Sequence, residues 1–132
     1  MRTGLDTNVL IRFLTQDDPV QSETAGRIIR EALEAGRELF LGSVVLCETV
    51  WVLESSYKLG RADIAPILER LLRSRGFHVE HRDPTSRALM RYRRGTADFS
   101  DYLIGEIALA HGCDQTLTFD RALQASPGFS AP

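Results

Sequence analysis

Hydrophobic positions along the chain fall into two patterns, short apolar runs and longer stretches with helical spacing. The short runs predict four strands, at residues 2–5, 38–42, 77–80 and 115–119. Between them, apolar residues recur every three or four positions, which predicts helices. Strands that alternate with helices favour a parallel sheet with helices packed on its faces, so the expected fold class is α/β.

Several helix ends carry recognisable local signals. An acidic residue followed by proline, at 18–19 and again at 83–84, predicts a cap and a first helical position. Ser43 is expected to cap the helix that contains Leu46, Val50 and Leu53. Gly36 is expected to end the helix that follows residue 19.

The length and composition indicate one ordinary globular domain. The chain has 132 residues, of which 43% are hydrophobic and 26% charged. We expect residues 1–125 to form the domain and the Pro/Gly/Ser-rich residues 126–132 to form a C-terminal tail. No apolar run approaches the roughly 20 residues of a membrane helix, and Asp6 interrupts any N-terminal signal region. A cytoplasmic location without membrane contact is therefore expected.

A small set of acidic residues occupies positions where a parallel sheet gathers ligands. Asp6 and Asp120 each follow a predicted strand directly, and α/β sheets bind ligands at the carboxyl ends of their strands. Glu48 lies in an otherwise apolar helix, where a carboxylate is costly unless it is paired or binds a metal. Asp98 and Asp101 are three residues apart, so a helix places them on one face.

Each of these acids also has an ordinary structural explanation. Asp6 and Asp98 can be helix N-caps, and Glu48 can be a first-turn residue favoured by the helix dipole. Glu54, further along the same helix, is interpreted as solvated surface. As a group, however, clustered carboxylates repel one another unless a cation lies between them. An all-oxygen set suits Mg²⁺ or Mn²⁺, which can activate water for phosphodiester cleavage.

The net charge of the chain is −2, and arginine carries nearly all of its positive charge. Residues 70–94 contain eight arginines, and Lys58 is the only lysine of the chain. Arginine suits bidentate contact with phosphate, and a solvated helix face is the alternative interpretation. The two cysteines, Cys47 and Cys113, have no spacing typical of a zinc site.

The acidic motifs, taken in order, resemble those of the PIN-domain nucleases. The motifs are Asp6-Thr7-Asn8-Val9-Leu10, Glu48 within residues 45–53, Ala97-Asp98-Phe99-Ser100-Asp101 and Leu117-Thr118-Phe119-Asp120. Their order and spacing are similar to those of the VapC-type toxins of bacterial toxin–antitoxin pairs. The resemblance covers essentially the whole chain.

This resemblance implies a PIN-like three-layer α/β/α sandwich with a central, mainly parallel sheet. It implies that four acids face one pocket as catalytic residues and metal ligands, namely Asp6, Glu48, Asp101 and Asp120. Asp98 resembles an accessory acid and further metal ligand. Thr7, Asn8 and Thr118 match positions that support the site.

The resemblance also implies an activity and partners. The activity is Mg²⁺-dependent endonucleolytic cleavage of RNA, often transfer or ribosomal RNA, with inhibition of translation; Mn²⁺ is an alternative ion. The implied partners are a VapB-type antitoxin and a second copy in a homodimer. The expected RNA contacts in the arginine-rich stretch are Arg87, Arg91, Arg93 and Arg94.

Two other functions are compatible with the same residues. In an aspartate-based phosphatase or phosphotransfer domain, Asp6 is the covalent nucleophile, but the corresponding pattern places a second Asp where Asn8 stands. In a non-catalytic module of PIN-like fold, the chain only binds RNA or protein, and uncompensated carboxylates weaken binding to a polyanion.

Overall fold

The computed structural model describes residues 1–132, which form seven helices and five strands. In chain order these are β1 (Arg2–Gly4), α1 (Thr7–Thr15), α2 (Pro19–Glu34), β2 (Glu38–Leu41), α3 (Ser43–Ser55), α4 (Arg61–Arg73), β3 (Phe77–Val79), α5 (Arg82–Arg94), α6 (Phe99–Ala110), β4 (Thr116–Leu117), α7 (Arg121–Gln124) and β5 (Phe129–Ser130). No helix is both long enough and apolar enough to cross a membrane.

The main sheet consists of β1, β2 and β3 in that order, and both pairings are parallel. In the central strand, Leu39 and Leu41 are fully buried. The helices flank this sheet; α1 and α2 pack together, and α5 lies between α4 and α6. The predicted α/β class with a parallel sheet is confirmed. Because the strands are parallel, their carboxyl ends lie along one edge, where Asp6 follows β1.

The C-terminal residues do not form the expected tail. β4 lies outside the main sheet and pairs in parallel with β5, which contains Phe129. Phe129 is only 7% exposed and belongs to the main hydrophobic core. Its ring occupies the space left by Gly105, where an added Cβ would lie 2.4 Å from the ring. The structure therefore corrects both the separate tail at 126–132 and the place of the fourth strand.

The predicted start of α2 is confirmed. Asp18 is the N-cap, its carboxylate accepts a 3.0 Å hydrogen bond from the backbone of Gln21, and Pro19 is the first helical residue. The prediction for α3 is wrong, because Gly42 takes the cap position. The Ser43 N–H instead donates to the Glu80 carboxylate at 2.8 Å, so a side chain from the end of β3 stabilises the start of α3.

The expected start of α5 is also wrong. The helix begins at Arg82, before the Asp83-Pro84 pair, and its N-cap is His81 in the left-handed conformation with φ 50°. The Arg82 guanidinium donates to the backbone carbonyls of Leu72 and Phe77. With tertiary contacts of this kind, the helix starts two residues earlier than the local signal indicates.

Candidate metal-binding and nuclease site

Thr7 connects the first two acids of the set. Asp6 is the N-cap of α1, and its Oδ1 accepts a hydrogen bond from the Thr7 N–H at 2.8 Å. The Thr7 hydroxyl donates to Oε1 of Glu48 at 2.8 Å. Thr7 is 8% exposed, whereas both carboxylates are exposed. Thr7 therefore holds one oxygen of each acid, through its backbone N–H for Asp6 and through its hydroxyl group for Glu48, while Oδ2 of Asp6 and Oε2 of Glu48 make no protein hydrogen bond.

The next two acids lie at the start of α6. Asp98 occupies the N-cap position, but its side chain makes no capping hydrogen bond. Its backbone carbonyl accepts from the N–H groups of Asp101 and Tyr102 at 3.1 and 3.3 Å. The carboxylate of Asp98 is thus exposed and uncommitted, so capping does not account for its side chain.

Asp120 lies in a loop that several hydrogen bonds hold together. Its Oδ1 accepts from the backbone of Ala122 and Leu123 at 3.0 and 3.2 Å, which makes Asp120 the N-cap of α7. Its own N–H donates to the Thr118 hydroxyl at 3.1 Å. The Gln124 amide donates to the Thr118 carbonyl at 2.7 Å. The second oxygen of Asp120 remains available.

Charge repulsion links the acids of α6 to Asp120. Partial burial raises the pKa of Asp101, and the negative charges of Asp98 and Asp120 raise it further. Both effects disfavour the ionised form of the half-buried carboxyl group. The three side chains therefore lie within electrostatic range of one another, in an arrangement that a cation would stabilise.

The helix α3 contacts both α1, which begins just after Asp6, and α6, which carries Asp101. Helix α3 carries Glu48, and the neighbouring Cys47 lines a narrow cleft between α3 and α6 together with Asp98 and Ser100. No three Asp, Glu, His or Cys side chains converge closely enough to enclose an ion. The available donors are all carboxylate oxygens, and this chemistry fits a hard divalent cation that keeps part of its water shell.

Asn8, by contrast, makes no side-chain hydrogen bond to these carboxylates. It is exposed on α1 and lies at a groove between α1 and α2. The other residues that line this groove are Val9, Arg12, Val20, Gln21, Thr24, Ala25 and Ile28. The structure thus gives Thr7 and Thr118 contacts with the acidic set and gives Asn8 none.

The sequence predicts that Glu54 faces solvent, and this prediction is wrong. It is half-buried and accepts a 2.8 Å hydrogen bond from the hydroxyl of the fully buried Tyr92. Desolvation and this bond raise the pKa of Tyr92, and the Arg61 guanidinium lies 4.5 Å from its ring centroid. Glu54 also lines the same cleft as Asp98. The hydroxyl group of a buried tyrosine needs a hydrogen-bond partner. A tyrosine on the apolar face of a predicted helix is therefore the sequence feature that points to a contact of this kind.

Three of the four arginines expected to contact RNA already have partners within the protein. Arg87 and Arg91 both donate to Glu106 at 2.9 Å, and Glu106 is only 6% exposed. Arg93 forms an ion pair with Glu69. Only Arg94 of the four forms no ion pair. These ion pairs connect α5 to α4 and α6.

The fold and the spaced acids define the class of protein to which the chain belongs. The sequence matches the PIN domain family over residues 5–127. It is also 32% identical over 117 residues to a VapC ribonuclease of Aquifex aeolicus (strain VF5), which covers 89% of this chain and 86% of that protein. The chain therefore belongs to the PIN domain family, as a VapC-type member. The prediction of a PIN-domain nuclease of the VapC type is confirmed.

Proposed function

We propose that the chain is a Mg²⁺-dependent endoribonuclease, the toxin of a toxin–antitoxin pair, which cleaves transfer or ribosomal RNA in the cytoplasm and so inhibits translation. The observation that carries the proposal is the set of uncommitted carboxylate oxygens beside α3. Its members are Asp6, Glu48, Asp98, Asp101 and Asp120. The name of the Aquifex aeolicus relative supports RNA as the substrate.

In this proposal Asp6 and Glu48 bind the cation through the oxygens that Thr7 leaves free. Asp101 and Asp120 complete the acidic set, and Asp98 is an accessory ligand. Held by these carboxylates, a divalent cation would supply activation of a water molecule and neutralisation of the charge that develops on the phosphate. Mn²⁺ satisfies the same oxygen donors. Thr118 fixes the loop that presents Asp120, which keeps this carboxylate in place without a metal.

Cleavage of total RNA by the wild type and by Asp6→Asn, in Mg²⁺, in Mn²⁺ and in EDTA, tests this activity. Asp114 is the matched control, because it is exposed and makes no side-chain hydrogen bond or ion pair. We expect Asp6→Asn to lower the rate by more than about 100-fold, beyond the 10–100-fold typical of residues that only support metal ligands. Asp114→Asn should keep the wild-type rate.

Equal cleavage by the wild type and Asp6→Asn, or undiminished cleavage in EDTA, would contradict the proposal. A phosphoaspartate trapped at Asp6 would instead establish the phosphotransfer alternative. Purified protein that binds RNA and never cleaves it would establish the non-catalytic module.

We further propose a homodimer in which α3 contributes to the interface. Apart from Ser43, Glu48, Thr49, Glu54 and Ser55, this helix is apolar, yet its Val44 and Trp51 are 74% and 67% exposed. A helix of this type is normally covered on every face. Light scattering should find a dimer for the wild type and a monomer for Val44→Asp. A monomeric wild type at tens of micromolar protein would contradict this part.

The other proposed partner is a VapB-type antitoxin whose tail covers the carboxylate pocket. Membership of the VapC-type proteins supports this partner. Co-expression with the neighbouring small reading frame should yield a stable complex that does not cleave RNA. Recovery of active, uncomplexed protein from such cells would contradict it.

A further inference from the structure

Phe119 is an aromatic side chain that the fold exposes directly beside Asp120. It is 88% exposed, whereas the other five phenylalanines are half-buried or buried. A phenylalanine ring stabilises a fold mainly when it is buried, so this ring contributes little to the stability of the free protein. The ring is therefore available to a partner that binds beside Asp120.

Hydrogen bonds on both sides of Phe119 order the backbone of the loop that carries it. On one side, the Thr118 N–H donates to the Ser130 carbonyl at 2.9 Å, and the Thr118 carbonyl accepts from Gln124 at 2.7 Å. On the other side, the Asp120 carboxylate accepts two backbone hydrogen bonds. Because the loop is already ordered, a partner that stacks on the ring pays little additional conformational entropy.

The residue after Asp120 adds a positive charge at the same place. Arg121 is exposed and forms no ion pair, unlike Arg87, Arg91 and Arg93. Three consecutive exposed positions thus offer an aromatic face, a carboxylate and a guanidinium. Single-stranded nucleic acid is recognised by this combination of stacking surfaces and cations.

We propose that Phe119 and Arg121 form a strand-binding edge, in which a base next to the scissile phosphate stacks on Phe119 and a flanking phosphate contacts Arg121. This inference rests on the proposed ribonuclease function and assigns it a substrate subsite. A protein surface that covered Phe119 without supplying a cation for Asp120 would leave that carboxylate desolvated and unpaired, which is costly. A nucleobase is neutral, and a strand that arrives with a divalent cation compensates that charge.

The chain has a single tryptophan, Trp51, which makes a direct binding assay possible. In the double variant Trp51→Phe, Phe119→Trp, the only tryptophan reports from position 119. A short 2′-O-methyl oligonucleotide is added in the presence of Ca²⁺, and an abasic strand of the same length is the matched probe. We expect the base-bearing strand to quench the emission and the abasic strand to leave it unchanged.

Affinity measurements on single variants separate stacking from general hydrophobic contact. Phe119→Ala and Phe119→Leu should each weaken binding of the base-bearing strand about 5- to 150-fold, equivalent to 1–3 kcal/mol of stacking, while Phe119→Tyr keeps it. Arg121→Gln should lower the slope of log affinity against log salt by about 1. Val20, exposed on α2, provides the control variant Val20→Ala, which should bind as the wild type does.

Wild-type affinity in both Phe119→Ala and Phe119→Leu would overturn the inference. So would an emission at position 119 that changes with protein concentration and ignores the oligonucleotide, because the ring would then lie in a contact between copies of the chain. If metal-dependent cleavage is intact and these variants bind normally, only the strand-binding edge fails. If the variants bind as expected and no RNA is cleaved, only the proposed nuclease activity fails.

Discussion

Removal of the Thr7 hydroxyl group tests whether its hydrogen bond to Glu48 orients this carboxylate for a metal ion. Thr7→Val keeps the shape of the side chain and removes the donor to Glu48. Glu48 is exposed, so water replaces the lost donor, and we expect a loss of only about 0.5–1.5 kcal/mol in stability. Groups that orient metal ligands typically contribute 10–100-fold to metal affinity or activity. The effect on Mg²⁺ binding should therefore exceed the effect on folding.

The assay is RNA cleavage as a function of Mg²⁺ concentration, with thermal unfolding in parallel. For Thr7→Val we expect the half-saturating Mg²⁺ concentration to rise about 10–100-fold, and high Mg²⁺ to restore most of the rate. Thr7→Ser keeps the hydroxyl and is the matched control, so it should stay close to the wild type. The extra stability that Mg²⁺ gives the wild type should also be smaller in Thr7→Val at the same concentration.

A folded Thr7→Val protein with the wild-type Mg²⁺ requirement would refute this reasoning. The same conclusion would follow if the rate fell at every Mg²⁺ concentration while the half-saturating concentration stayed constant. In that case Thr7 would act on a step other than binding of the cation.

Three further predictions concern stability. In EDTA, Asp101→Asn should raise the melting temperature by a few degrees, because it removes a half-buried charge that its neighbours repel; an unchanged or lower value would contradict the repulsion. Glu106→Ala leaves the mostly buried guanidinium of Arg91 without its carboxylate, and urea unfolding should show a loss of roughly 2–4 kcal/mol; a loss typical of a surface residue would contradict this role. Gly105→Ala forces the Phe129 ring to move, so we expect a loss of about 1–3 kcal/mol in the same assay, and wild-type stability would show that β5 does not depend on this packing.

The sequence predicts the features that depend on local spacing. The alternation of strands and helices predicts the parallel sheet. Parallel pairing in turn places Asp6, which follows β1, at the edge formed by the carboxyl ends of the strands. The start of α2 is predictable because Asp18 and Pro19 satisfy the first turn without help from the rest of the fold. Where the determinant of a structure lies within a few residues, the sequence is sufficient.

Features that depend on distant contacts are not predictable in this way. The start of α3 depends on Glu80, which lies 37 residues away, and the burial of Phe129 depends on the absence of a side chain at Gly105. The arginines of α5 look available for RNA in the sequence, yet Arg87 and Arg91 share an ion pair with Glu106 on α6. No spacing rule within one helix shows which charges the next helix compensates.

The proposed function requires that these carboxylates bind a divalent cation, and crystals grown with Mn²⁺ test this directly. An anomalous difference map should show a Mn²⁺ peak coordinated by Asp6 and by at least one of Glu48, Asp101 and Asp120, with water molecules in the remaining positions. Asp6→Asn crystals treated in the same way should lose or greatly weaken the peak. A map without Mn²⁺ at these oxygens, or with the ion bound only elsewhere on the chain, would contradict the account.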